Sequence, residues 1–272
     1  MRIPIRTSRL AIWAWRLGAF TLPLLIFALV LRVLGIMEPV AFEAILAIGA
    51  GLGLIALICA ILAYIRIWNT GDLGWTKASL GLLAGVIALA PLGVWLGFAL
   101  RYPSTDDITT RATDLPALAL RPDDQVASLL DSGGLARAFP GVVSRAYPLA
   151  PAQLYALVEG LVGERDWPVL RRIGPVANDG VGLLDALHTS LIGRQSEIVF
   201  VVEPDPRGAR INLRAASVRD LVHDLGVNGR IVDAFLNDLD DVVTIFERDG
   251  SALIEQARGS AISDPVAVDA GD

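Results

Sequence analysis

Two histidines and one cluster of arginine, aspartate and asparagine are the side chains of this sequence best suited to chemistry. His188 and His223 are the only imidazoles among its 272 residues, and acid–base or nucleophilic catalysis near neutral pH most readily recruits that group. His188 stands beside Thr189 and Ser190 on an expected strand, and His223 adjoins Asp224 in the loop before an expected helix. A hydrolase or transferase would work through one of them. No Gly-x-Ser-x-Gly elbow, His-Glu-x-x-His metal helix or Gly-x-x-x-x-Gly-Lys phosphate loop accompanies them. Isolated histidines of this kind are more often structural, so no residue is assigned a catalytic role. The sequence also calls for no cofactor and no metal.

Arg214, Asp224, Asn228 and Arg230 form the second group. Arg214 falls late in a strand expected in mid-sheet, and the other three open the helix that follows, so all four are expected at one rim of the sheet. As a binding site they would grip a carboxylate, a phosphate or a peptide end through guanidinium groups. As an internal network, Asp224 would pair with an arginine and Asn228 would cap the helix. The network is preferred, because caps and buried ion pairs account for these residue types without a ligand.

The elements that must hold these residues come after a membrane anchor. Ala78–Leu100 runs 23 residues without a charge, and as a helix it would span roughly 35 Å, enough to cross a hydrocarbon core of about 30 Å. Similar runs lie at Leu17–Ile36, interrupted by Pro23 and Arg32, and at Ala44–Ile65. A cleaved signal peptide is the competing reading of the first run. Its length, the lack of a small-residue cleavage site and the two further spans favour retention. Arg32 lies near the end of its span, where a long stem reaches the headgroups.

Charge divides the chain. The first 100 residues carry seven basic and three acidic side chains, leaving 16 and 26 of the total 23 and 29 for the rest, or about +4 against −10. An acidic exposed part argues against nucleic acid. Arg2, Arg6, Arg9 and Arg16 precede the first span, no Lys or Arg lies between the first and second, and Arg66 and Lys77 lie between the second and third. That pattern puts the N-terminus in the cytoplasm and everything after Arg101 across the membrane. Trp13, Trp15, Trp68 and Trp75 fall near the same expected interface. The spans after Arg32 contain no ionisable group, which argues against transport. Gly49 and Gly53, Gly81 and Gly85, and Gly93 and Gly97 have the spacing that lets helices approach closely, within one chain or between copies in an oligomer. Cys59 is the lone cysteine and excludes an intramolecular disulfide.

Residues 103–144 read as an extended arm lying over the domain that follows, with one short helix near 123–131. From 145 to 250 the pattern is α+β. Strands are expected at Arg145–Leu149, Trp167–Ile173, Gly182–Thr189, Glu197–Glu203 and Ala209–Ser217. A helix opens at Pro151 with Leu154, Leu157, Val158 and Leu161 on one face. A second covers Gly229–Arg248, with Ile231, Phe235, Leu239, Val242 and Phe246 facing the core. The fold class is thus three transmembrane helices followed by an antiparallel sheet of about five strands with two helices, a helix-grip-like arrangement. Residues 251–272 read as a flexible tail.

Asp107-Ile108-Thr109-Thr110, Leu213-Arg214-Ala215-Ala216-Ser217 and Asp224-Leu225-Gly226-Val227-Asn228 followed by Arg230-Ile231 resemble the signature segments of the domain-of-unknown-function 1499 family, over roughly 104–240. Asp107, Thr109, Thr110, Ser217 and Gly226 are the motif positions. The resemblance implies a bacterial envelope or plastid protein and carries no molecular activity with it. The family has Ser and Arg where this chain has Ala215 and Val218, and an acidic pair where it has Ser196-Glu197, so a site built from those groups is depleted here. The expectation is a bacterial inner-membrane protein whose periplasmic domain binds an envelope protein or a lipid-derived ligand. The alternative is the enzyme working through His188 or His223.

Overall fold

The computed structural model describes residues 7–111, 116–121, 132–176, 180–219, 221 and 223–262. It divides into two units, Met1–Ser104 with Thr189–Gln195, and Thr105–His188 with Ser196–Asp272.

Three helices make the first unit: α1 (Arg9–Val33), α2 (Pro39–Thr70) and α3 (Trp75–Arg101), each long and apolar enough to cross a membrane. Their outward faces are apolar and exposed, as at Ile26, Ile58 and Val94, which is what a helix surrounded by lipid requires. Their inward faces are small, with Ala11 and Ala14 of α1, Ala56, Ala60 and Ala63 of α2, and Ala78, Ala84 and Ala88 of α3 all buried. Two of the three glycine spacings close this bundle. A Cβ on Gly81 would lie 2.6 Å from the Ala14 backbone, and one on Gly85 would lie 2.8 Å from the Gly53 carbonyl. Gly93 and Gly97 have nothing of this chain within 4 Å. Arg32 turns its Nη1 back to the Met37 carbonyl at 2.6 Å, beyond the end of its helix.

The second unit is a six-stranded sheet with helices on one face. Its strands are β1 (Asp107–Thr109), β2 (Arg145–Tyr147), β3 (Val169–Ile173), β4 (Gly182–Thr189), β5 (Gln195–Asp205) and β6 (Gly208–Ser217), in the order β1-β6-β5-β4-β3, with β2 also pairing β6. All pairings with a described register are antiparallel. The additional strand comes from the arm: β1 pairs Asp107 with Ala216 and Thr109 with Arg214. Three residues are too few to show alternation, so this strand has no periodic signal of its own. The hairpin of β5 and β6 closes through Pro206 and Arg207, with Asp205 opposite Gly208. Gly208 has φ 134° and its α-carbon faces the Tyr147 carbonyl, a place no side chain fits. The expected helix near 123–131 lies outside the described residues, and α4 spans Ser132–Ala138.

Helix α5 (Pro151–Glu164) starts with proline at its first position, and the Gln153 side chain accepts the Ala150 N–H at 3.0 Å. Leu154, Val158, Leu161 and Val162 are its buried face. Helix α6 (Val227–Ile262) crosses the same face of the sheet. Its buried stripe is Val232, Phe235, Leu236, Leu239 and Val243; Ile231 and Val242 are half-buried, and Phe246 is exposed. This corrects the expected face by about one residue. Apolar side chains flank the stripe on both sides, so spacing alone leaves the rotation open. The sheet fixes it: Phe235 packs on Phe200 at 4.6 Å, while Arg145 and Tyr147 of β2 both bond Asp240. The helix also continues past the expected end at Arg248 to Ile262, over the helix formers Ala252, Leu253, Glu255, Gln256 and Ala257 with no proline to stop it. Residues 263–272 lie outside the described residues.

Candidate functional site

Alternation along the strands gives the sheet two unlike faces. One carries Leu184, Ala186, Ile198, Phe200, Val202, Ile211, Leu213 and Ala215 under α5 and α6. The opposite face takes the intervening positions: Arg171 on β3, Asp185 on β4, Glu197, Val199 and Glu203 on β5, Asn212, Arg214 and Ala216 on β6, and Asp107 on β1. No helix among the described residues covers this second face. A strap of chain without regular structure, residues 116–121, lies on it instead.

Charged side chains hold the strap by its main chain. Arg214 donates from Nη1 to the Pro116 carbonyl at 2.7 Å, and Arg171 donates from Nη2 to the Ala117 carbonyl at 2.6 Å. Glu197 accepts the N–H groups of Ala119 and Leu120, the latter at 2.8 Å. Leu118 is the one buried side chain of the strap and sits on Val199 and Ala216. At its far end Arg121 pairs with Asp106 at 3.1 Å.

These charges are held in turn by one another. Arg214 and Asp107 form a two-pronged pair, Nε to Oδ1 at 3.2 Å and Nη2 to Oδ2 at 2.8 Å, with side chains 6% and 3% exposed. Asp185 is fully buried, takes Arg171 Nη2 on Oδ2 at 3.3 Å, and lies beside the Glu197 carboxylate. Burial and then the Glu197 carboxylate push its pKa up to about 7, against the pull of Arg171. The Asp185 Oδ1 and Arg171 Nε atoms are buried without a hydrogen-bond partner. A proton kept on Asp185 is what lets the two carboxyls lie together. Further along, Glu203 joins Arg111 and Asn212, each at 3.0 Å.

The four residues expected at one rim do not form one site. Arg214 reaches the strap face and pairs with Asp107, not with Asp224. Asp224 and Asn228 lie under the start of α6: Asp224 Oδ1 accepts Gly226 N–H and Oδ2 accepts Asn228 N–H, both at 2.7 Å. The cap is therefore Asp224. Asn228, expected in that role, is a wholly buried first-turn residue whose Nδ2 donates to the Asp106 carbonyl at 2.7 Å and to Ser217 Oγ at 3.3 Å. Burial raises the Asp224 pKa, opposed by the two backbone N–H bonds. Leu225 and Gly226 take left-handed φ values of 61° and 72° to make this turn. Arg230 is exposed and bonds the Gly226 carbonyl at 3.2 Å, beside an open depression of about 280 Å³ shared with Arg165 and Trp167.

Of the motif positions, the two threonines serve the backbone. Thr109 Oγ1 donates to the Leu213 carbonyl at 3.2 Å and Thr110 Oγ1 accepts Leu213 N–H at 2.9 Å, tying β1 to β6. His188 lies on the helix-covered face, edge-on to Trp167 at 5.5 Å; its Nδ1 is buried without a hydrogen-bond partner, and burial lowers its pKa. His223 Nδ1 accepts Leu225 N–H at 2.9 Å, which fixes the turn before α6. The described residues contain no group of three metal-ligating side chains.

Asp185, Glu197 and Arg171 were not singled out from the sequence. Their signal was present: Asp185 interrupts Leu183, Leu184, Ala186 and Leu187, and Glu197 opens the apolar run Ile198–Val202. A charge inside an apolar strand is costly to bury and needs a partner, and Arg171 stands opposite Asp185 in the β3–β4 register. Comparison with protein-family models, with curated proteins and with solved structures finds no match, and the reading of the site rests on its geometry.

Proposed function

We propose that this chain is a bacterial inner-membrane protein, N-terminus in the cytoplasm, whose periplasmic sheet domain binds an extended segment of an envelope protein. The observation that carries this reading is the strap face, where three strands present Arg171, Glu197 and Arg214 to main-chain carbonyls and amides. Such groups suit a polypeptide. They suit an anionic lipid headgroup less well, because the Asp185–Glu197 pair would repel it. The arginine asymmetry across the spans supports the orientation, as does the Ser8 N–H bond to the Leu73 carbonyl at 3.0 Å, which brings the start of α1 to the α2–α3 turn and so gathers Trp13, Trp15, Trp68 and Trp75 toward one end of the bundle. The resemblance to the domain-of-unknown-function 1499 family is consistent with an envelope location. An enzymatic reading gains nothing from His188, which packs between sheet and helices with no carboxylate bonded to it among the described residues.

The test is made in living cells. Photoreactive residues at Leu183 and Val201, which border the Leu118 pocket on the sheet itself, are expected to give one discrete adduct with another protein, and this partner, tagged and purified in turn, brings back this chain cross-linked at the same positions. A phosphatase fused after Asp272 is expected to be active. Adducts with another protein absent at both positions, or an inactive phosphatase with a cytosolic fluorophore bright at the same point, would overturn the reading.

A further inference from the structure

The strap is held in a way that another chain could copy. Four of its contacts are main-chain groups in sequence: two carbonyls at 116 and 117, and two amides at 119 and 120. Its side chains contribute one buried anchor, Leu118, while Ala117, Ala119 and Leu120 are exposed, Leu120 at 45%. The gripping groups are rigid and belong to the sheet. Arg214 is locked by Asp107, and Glu197 is backed by Asp185. Leu118 is the strap's one apolar anchor and the Arg121–Asp106 pair its one side-chain ion pair among the described residues, a modest side-chain hold for six residues whose ordering has its own entropic cost. The face is thus a preformed reader of polypeptide backbone, with a single apolar pocket on Val199 and Ala216, and its present occupant is replaceable.

We propose that residues 116–121 are an internal stand-in for the partner's segment, and that the sheet face takes in exchange an extended peptide carrying one leucine followed by two residues with free amide N–H groups. This deepens the function proposed above and rests on it for the source of the peptide. The selectivity follows from geometry. A proline or an N-methylated residue at either position after the leucine cannot donate to Glu197, whereas the flanking side chains point to solvent and are read weakly. A strap closed nine-tenths of the time leaves one-tenth of the sites open and weakens apparent affinity about tenfold.

The experiment uses the full chain in nanodiscs and the fluorescein-labelled peptide Pro-Ala-Leu-Ala-Leu-Arg, amidated at its end. Leu118→Ser removes the anchor of the internal strap and leaves the face intact. It is expected to bind the peptide at least about tenfold more tightly than wild type. N-methylation of the alanine that follows the peptide's first leucine, or Glu197→Gln in the Leu118→Ser chain, is expected to abolish that gain. Hydrogen exchange of β5 and β6 amides reports whether each variant keeps its sheet, with Leu118→Ala as the milder second variant. Equal peptide affinity in wild type and a folded Leu118 variant overturns the proposal. So does loss of the sheet in both variants, which makes the strap part of the core. Cross-linking in cells without peptide exchange in nanodiscs refutes this inference alone; exchange without any cellular adduct refutes the function and leaves the inference standing.

Discussion

Replacing Asp185 by asparagine should make the sheet domain more stable at pH 8 and leave it nearly unchanged near pH 4. Asp185 is fully buried, its neighbours across the strands are Glu197 and Arg171, and its pKa is raised to about 7 from an ordinary 3.8. The folded state therefore keeps a proton that the unfolded chain has released by about pH 5. Stability falls as pH rises from the unfolded to the folded pKa and levels off above 7. A shift of that size corresponds to about 4 kcal/mol at most, and roughly 2 to 4 kcal/mol once Arg171 and local relaxation offset part of it. An asparagine amide donates to Glu197 as the protonated acid does and has no charge to develop. Urea unfolding of the full chain in detergent, followed through Trp167 with the other tryptophans changed to phenylalanine, should give an Asp185→Asn profile that stays flat while the wild-type profile falls from about pH 4 to about pH 7, with a constant gap above that. Parallel profiles between pH 5 and 8, or a variant less stable than wild type at pH 8, would refute the account of a protonated Asp185.

Other perturbations bear on other parts of the structure. Arg214→Ala strands the Asp107 carboxylate and should cost roughly 3 to 5 kcal/mol, while the double change Asp107→Leu with Arg214→Met should recover most of that; urea midpoints decide, and equal losses in single and double variants would count against the buried pair. Leu225→Gly relieves a left-handed backbone and should stabilise by up to about 1 kcal/mol, a gain that a lower midpoint would contradict. Gly81→Leu should disrupt the helical bundle, because Ala14 backbone lies 2.6 Å from where its Cβ would sit, whereas a Cβ at Gly93 has nothing within 4 Å outside its own helix backbone; thermal stability in detergent should separate Gly81→Leu from Gly93→Leu.

The parts of this fold that were legible from the sequence are those with long repeats. Uncharged runs marked the three long helices, and alternation or apolar runs marked β3 to β6. The arm's strand was not legible, because Asp107–Thr109 is too short to alternate and its pairing is decided by β6, which lies about a hundred residues further along the chain. The rotation of α6 was hidden by apolar residues on both flanks of its stripe. The candidate site was half legible. Arg214 is grouped in the sequence with Asp224, the carboxylate expected to pair with an arginine, while its partner in the structure is Asp107, on the neighbouring strand β1. Asp224 and Asn228 exchanged roles because cap and first-turn residue differ by the course of a turn at Leu225 and Gly226 that spacing does not define. Asp185 and Glu197 were visible only as charges out of place in apolar strands, and their pairing depends on the β4–β5 register.

The most direct test of the strap face is residue-resolved hydrogen exchange of Ala119 and Leu120 in the full chain, compared with the amides of β5. The Glu197 grip predicts exchange at least about tenfold slower than in an open peptide, yet faster than in β5, and unprotected in the Glu197→Gln chain. Exchange of both amides at the open-peptide rate in wild type would contradict the claim that this face holds a polypeptide backbone.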